Sequence, residues 1–223
     1  MIQQEIKSFF YYLILGLLVP INLYAQNTAG IYKIRFIIDQ DLTNEVRVNI
    51  SGETTPDRFN VTSTFPNNLI DSIHNVITKT VAKQLASNTS ILYKKNRKGQ
   101  DVKSYGSSTS LEGMPRNRLK KAILAEEKDF YVRVRINFSA RGGIGTSFLG
   151  TTVTNIRPVV IMKIVAFSVE KKRVYSKKVR VRDFSRLRAV ENTIGSVSIR
   201  RSEVLLPIEI YTMLERTVEE YEK

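Results

Sequence analysis

The sequence predicts an α+β fold: a mainly antiparallel sheet with two or three helices packed on one face. Three observations carry this. Several segments alternate apolar and polar residues with period two. Others place apolar residues at spacings of three and four. A four-residue break, Glu170-Lys171-Lys172-Arg173, separates two apolar runs and suits a hairpin turn.

The elements follow in order. Tyr32, Ile34, Phe36 and Ile38 alternate with Lys33 and Arg35, which marks a half-buried strand over 31–38. Val46-Arg47-Val48-Asn49-Ile50 repeats the pattern, and residues 52–56 are rich in turn formers. Asn67 or Asn68 can cap a helix whose apolar face is Ile70, Ile73, Ile77, Val81 and Leu85, ending near Asn88. Ile91-Leu92-Tyr93 suits a short strand, and the basic run 94–99 a turn. Residues 100–115 read as a mobile loop, and a shorter helix follows at about 116–127. Phe130, Val132, Val134, Ile136 and Phe138 define the clearest strand, and Arg141-Gly142-Gly143-Ile144-Gly145 a flexible link. Residues 159–169 and 174–184 form the hairpin strands, and 185–201 read as polar and irregular. A last helix, capped by Ser202, has Leu205, Ile208, Tyr211, Leu214, Val218 and Tyr221 as its apolar face.

The first 25 residues read as an address. Lys7 precedes the apolar run Phe9 to Val19, Pro20 breaks it, and Ala25 offers a small residue for cleavage, the pattern of a secretory signal peptide. The run is shorter than the ~20 residues that span a bilayer; retention as an amino-terminal anchor is the alternative. The chain has no cysteine, which excludes a lipoprotein anchor together with disulfides and thiolate metal sites. The expected product is a single α+β domain, residues 26–223, without a membrane span, placed in the periplasm or outside the cell. Neither its oligomeric state nor its specific partner is legible.

The charge is the strongest functional signal. Lys and Arg total 35 against 21 Asp and Glu, a net +14, which favours an anionic partner. Arg133 and Arg135 point away from the apolar side of their strand, as do Lys178, Arg180 and Arg182 of theirs. If those strands are neighbours, one sheet face becomes a basic wall. Arg97, Lys98, Arg116, Lys120 and Lys121 add charge on a turn and the second helix, and Phe148 and Leu149 form an apolar loop contact. Tyr131 shares the face of Arg133 and Arg135, which suits nucleic acid, but export argues against that partner.

No catalytic centre is evident. His74 is the only histidine and falls beside the apolar face of the first helix, so it reads as structural. One imidazole cannot build a common zinc site, and no Gly-x-Ser-x-Gly elbow supports a triad. Asp39-Gln40-Asp41 with Glu45 lacks the glycine and spacing of a calcium loop and reads as a strand-ending turn. Gly142-Gly143-Ile144-Gly145 lacks the following Lys-Ser/Thr of a phosphate cradle. No cofactor or metal is expected.

The helix running into Lys128-Asp129-Phe130-Tyr131-Val132-Arg133-Val134, the two strands joined at Glu170-Lys171-Lys172-Arg173, and the terminal helix resemble periplasmic domains of the curli-secretion-pore and Tol propeller amino-domain type. The resemblance covers residues 66–184 in element order. It implies a non-catalytic assembly or accessory role in a bacterial envelope. The expected function is therefore that of an exported non-enzymatic binding protein. It would dock an envelope protein or an anionic glycolipid or polysaccharide surface through its basic sheet face. Two other classes stand beside it: a carboxylate hydrolase acting on envelope glycans, which needs a cleft with two converging acids, and a structural subunit of an envelope complex, which needs a large apolar patch.

Overall fold

The computed structural model describes residues 27–50, 67–102, 118–142 and 145–223. The predicted signal segment, most of the predicted loop at 100–115, and Arg116 lie outside the described residues. Among the described residues no helix is long and apolar enough to cross a membrane.

The strands are β1 (Asn27–Ile38), β2 (Val46–Ile50), β3 (Ser87–Ile91), β4 (Lys94–Lys95), β5 (Asp101–Val102), β6 (Phe130–Gly142), β7 (Thr146–Phe148), β8 (Thr151–Phe167), β9 (Arg173–Val181), β10 (Leu187–Ile194) and β11 (Val197–Ser202). The helices are α1 (Asn67–Leu85), α2 (Leu119–Ala125) and α3 (Pro207–Glu222). Among the described residues nine strands form one sheet, in the order β2-β11-β10-β8-β6-β1-β3. β7 and β9 also pair with the long β8, and β4–β5 is a separate hairpin.

The sheet is mixed, which overturns the expectation of a mainly antiparallel one. β1 runs parallel to both of its neighbours, β3 and β6. The cause is local. Ala86 adopts φ 44° directly after α1, in the left-handed region where a helix reverses, and the chain enters β3 at once. Its residues, Ser87-Asn88-Thr89-Ser90-Ile91, pair on one side only among the described residues. An edge strand of this kind shows little hydrophobic periodicity.

Helices cover both faces, not one. α1 and α3 bury Ile70, Ile73, Ile77, Val81, Ile210, Met213, Leu214 and Tyr221 against Ile34, Phe36, Val134, Ile136, Phe138, Val160, Met162 and Ile164. α2 lies on the opposite face, where Ala122 closes a smaller cluster with Tyr32, Leu92 and Tyr131. A bulge makes this second cluster. The register of β1 against β6 shifts between Ile31 and Lys33, so Tyr32 leaves the face of Ile34, where the alternation had placed it. Tyr131, expected as an exposed platform, is buried there. Its hydroxyl donates to the Glu126 carbonyl at 2.9 Å and accepts from the Lys128 N–H at 3.1 Å, pinning the exit of α2.

Residues 185–201 are ordered as β10 and β11, correcting the irregular reading. Their turn, Gly195–Ser196, has Gly195 at φ 61°, a recognisable hairpin signal. Ser202 belongs to β11 rather than capping α3. The cap is Leu206, whose N–H donates to Glu209 Oε2 at 2.7 Å, and Pro207 takes the first helical position. The buried stripe of α3 is accordingly Ile210, Met213, Leu214, Thr217 and Tyr221, with Ile208 exposed. Tyr221 anchors the far end. Its hydroxyl donates to the Lys177 carbonyl at 3.2 Å and sits 3.2 Å from the hydroxyl of Tyr175, which donates to Gln84 Oε1 at 2.9 Å. Burial, then the Tyr175 contact, pushes the Tyr221 phenol far above its ordinary range.

Asp129 ties the starts of β6 and β1 together. Its Oδ2 accepts from the Thr28 N–H at 2.7 Å and the Thr28 hydroxyl at 2.9 Å. These bonds, the backbone one first, hold its pKa below the ordinary aspartate value. A depressed carboxylate stabilises the fold above its unfolded pKa and loses that contribution as pH falls through the folded one. Asp129→Ala is therefore expected to lower stability at pH 7 by no more than about 1 kcal/mol, since the group is exposed. The difference from wild type should close in acid, as read by thermal melts across pH. A pH-independent difference would show that the carboxylate charge plays no part.

Candidate functional site

Strand alternation and register decide what the face opposite α1 and α3 presents beyond the part that α2 covers. On the strands β1, β6, β8 and β9, residues between the core positions point away from α1 and α3. Register then aligns them in rows across the four strands. One row is Lys33, Arg133, Val165 and Ser176. The next is Arg35, Arg135, Lys163 and Lys178. The third is Ile37, Asn137, Ile161 and Arg180. Seven cations lie in these rows, with no acidic residue among them.

The middle row is the densest. Arg135, Lys163 and Lys178 line a shallow recess of about 270 Å³, with Asn137 and Ile161 along one side. Lys163 stands directly between two cations, since it pairs with Arg135 on one side and Lys178 on the other. Burial, then the fields of Arg35 and Arg133, lowers the pKa of Lys33. Arg133 is steadied by the Phe167 ring, with its guanidinium 5.9 Å from the ring centre. The recess offers convergent N–H donors and positive potential to an anionic group.

The structure brings together some of the residues the sequence singled out and separates others. Arg133, Arg135 and Arg180 stand on the basic face. Arg182 lies just past β9 in a different cleft, of about 440 Å³, shared with Asp183, Arg216, Glu219, Glu220 and Lys223, and Arg180 lines its edge as well. Arg216 pairs with Asp183, and Lys223 with Glu220 at 2.8 Å, so acids offset most of the positive charge in this cleft. Arg97 and Lys98 occupy the β4–β5 turn, whose shape is set by the Asn96 carboxamide oxygen accepting from the N–H groups of Lys98 and Gln100. Lys120 and Lys121 are exposed on α2, outside the strand rows.

The sequence reading missed Lys33, Arg35 and Lys163 as members of the site. The first two needed the β1–β6 pairing to be known. Lys163 carried a signal of its own, as the one charged residue in the run 158–167.

His74 is buried on α1, as its spacing implied. Asp39 ends β1 by accepting from the N–H groups of Asp41 at 3.1 Å and Ala140 at 3.2 Å, and a 3-10 turn follows. Among the described residues no group of three or more His, Asp or Glu side chains converges as a metal site.

A second exposed feature lies at the other end of β8. Leu149–Gly150 is a two-residue turn between β7 and β8, with φ 47° and 78°. Both central residues at positive φ is the pattern of a type I′ turn. Leucine is poorly suited to its place, where the left-handed backbone costs about 1–2 kcal/mol. Phe148 and Leu149, expected as a loop contact, are 77% and 88% exposed there.

No protein-family model matches the chain, and no curated protein is significantly similar to it. A solved Helicobacter pylori structure named as a homolog of a neuraminyllactose-binding hemagglutinin is similar over 87% of this chain and 81% of its own, at 8% identity and a TM-score of 0.40. A likeness of that size carries no argument about fold or function.

Proposed function

We propose that this protein is an exported, non-enzymatic docking module whose basic sheet face binds an anionic surface of the bacterial envelope. The observation that supports the reading is the set of three aligned rows carrying seven cations and no acid. Like charges on neighbouring strands destabilise a sheet. A face that keeps them is suited to a partner that neutralises them. The Arg135–Lys163–Lys178 recess is the focus, and Arg133, Arg180 and Lys33 extend the positive field around it. The signal-peptide pattern of residues 1–25 and the resemblance in element order to envelope assembly domains support docking in the periplasm or beyond.

The test is binding to immobilised heparin, an acidic polysaccharide, across a salt series. Docking through this face predicts affinity that falls steeply between about 50 mM and about 500 mM salt, because surface charges are screened over that range. Binding that is unchanged across the series would overturn the electrostatic reading.

A further inference from the structure

The sheet carries a projecting arm whose chemistry differs from the rest of the chain. β7, β8, β10 and β11 end in two adjacent hairpin tips. The tips are fastened side by side: the Thr193 N–H donates to the Gly150 carbonyl at 2.9 Å, and the Thr151 hydroxyl donates to Asn192 Oδ1 at 2.9 Å. Phe148, Leu149 and Ile194 sit on these tips, 77%, 88% and 80% exposed. Folding gains nothing from that exposure, and Leu149 also holds a left-handed backbone that glycine would adopt without strain.

The charge pattern separates hydrocarbon from a protein partner. Across residues 145–156 and 189–199 the only ionisable side chain is Glu191, in a chain that is 25% charged. The remaining polar residues there are Ser, Thr and Asn. Charge is strongly disfavoured where a segment enters lipid, whereas a protein partner would tolerate or use it. Behind the tips stand four exposed arginines: Arg141 and Arg157, opposite one another on β6 and β8, Arg188 at the start of β10, and Arg201 on β11. Apolar residues at a tip with cations behind them match the two signals that hold a peripheral protein on an anionic bilayer, shallow apolar insertion and headgroup attraction.

We infer that the paired hairpin tips insert Phe148, Leu149 and Ile194 into the interfacial layer of an anionic phospholipid bilayer, with the arm inclined so that the arginines, about 20 Å further along the strands, face the headgroups. This site is separate from the basic rows on β1, β6, β8 and β9, and it does not depend on them.

The chain has no tryptophan, so one introduced residue reports its own surroundings. Phe148→Trp is expected to shift its emission to the blue on addition of vesicles of equal parts phosphatidylglycerol and phosphatidylcholine, and to be quenched by brominated lipid. Val174→Trp, on β9 at the far end of the sheet, should do neither. Leu149→Asp with Ile194→Asp should reduce vesicle partitioning on the order of 100-fold without lowering the thermal melt, since aspartate tolerates the left-handed backbone better than leucine, and while leaving heparin binding unchanged. Vesicle binding without a shift at position 148 would overturn insertion. So would an absence of vesicle binding. An equal shift with pure phosphatidylcholine would overturn the assignment to anionic lipid.

Discussion

Lys163→Glu is expected to lower affinity for heparin by about 100-fold at about 0.1 M salt, and at the same time to raise the melting temperature. Both effects come from one geometry. Lys163 lies between Arg135 and Lys178 on the neighbouring strands, with Arg35 next along the row. Reversal replaces the two like pairs that Lys163 makes, with Arg135 and with Lys178, by two unlike ones. Directly opposed unlike pairs in a sheet contribute roughly 0.2–1 kcal/mol each, and like pairs cost similar amounts. The folded protein therefore gains while the recess loses its attraction for anions. A reversal removes one favourable contact and adds one repulsion, which together make about 2–3 kcal/mol at a partly desolvated interface. Lys163→Met removes only the charge and should cost about tenfold on the same scale. Stability and binding moving in opposite directions is the signature to look for, since damage to the fold would move both down. Unchanged heparin affinity in the glutamate variant would remove the recess from the proposed site.

Phe138→Ala is expected to destabilise the fold by about 3–5 kcal/mol. Phe138 is fully buried on β6, the strand between β1 and β8, and its ring lies 5.1 Å from that of Phe36 in a tilted pair. Truncation loses the transfer free energy of the ring and leaves a cavity beneath α1 and α3, and the pair geometry adds a further contribution. The backbone should hold, because Asp39 still donates its N–H to the carbonyl at position 138 at 2.8 Å. A loss of this size is a large share of the roughly 5–15 kcal/mol that separates folded from unfolded chains. Phe138→Leu should cost less than half as much, since it restores most of the volume. Urea midpoints of the three proteins measure the series. A difference below about 1 kcal/mol for the alanine variant would mean that this part of the core does not pack as described.

Phe138 was plain in the sequence, whereas Lys163 was passed over. Phe138 closes a run of five alternating apolar residues, and strict period two on a strand leaves no choice about which side chains share a face. Ile70, Ile73, Ile77 and Val81 were as plain, because a helix buries what recurs every three or four residues. The direction of Arg133 and Arg135 followed from the same alternation.

The limits of that logic are equally specific. Period two fails at a bulge, so Tyr32 fell on the wrong face. Period two also says which face a side chain takes, not whether something covers it, so Tyr131 read as exposed although α2 lies over it. β3 is an edge strand and β10 and β11 extend to exposed tips, so their sequences are polar and were passed over. Arg182 alternates correctly with Arg180, yet β9 ends at Val181 and the chain turns into a cleft where Asp183, Glu219 and Glu220 offset its charge.

The sequence by itself determined local facts: which segments are strands or helices where burial is strong, which way their side chains point, the positive charge, and the absence of cysteine chemistry. Tertiary structure decided what lies beside what. Parallel pairing of β1, the two-sided placement of helices, the rows that collect Lys33, Arg35 and Lys163, and the joined hairpin tips all depend on strand order and register. Those are set by contacts between residues far apart in the chain, and local periodicity carries no information about them.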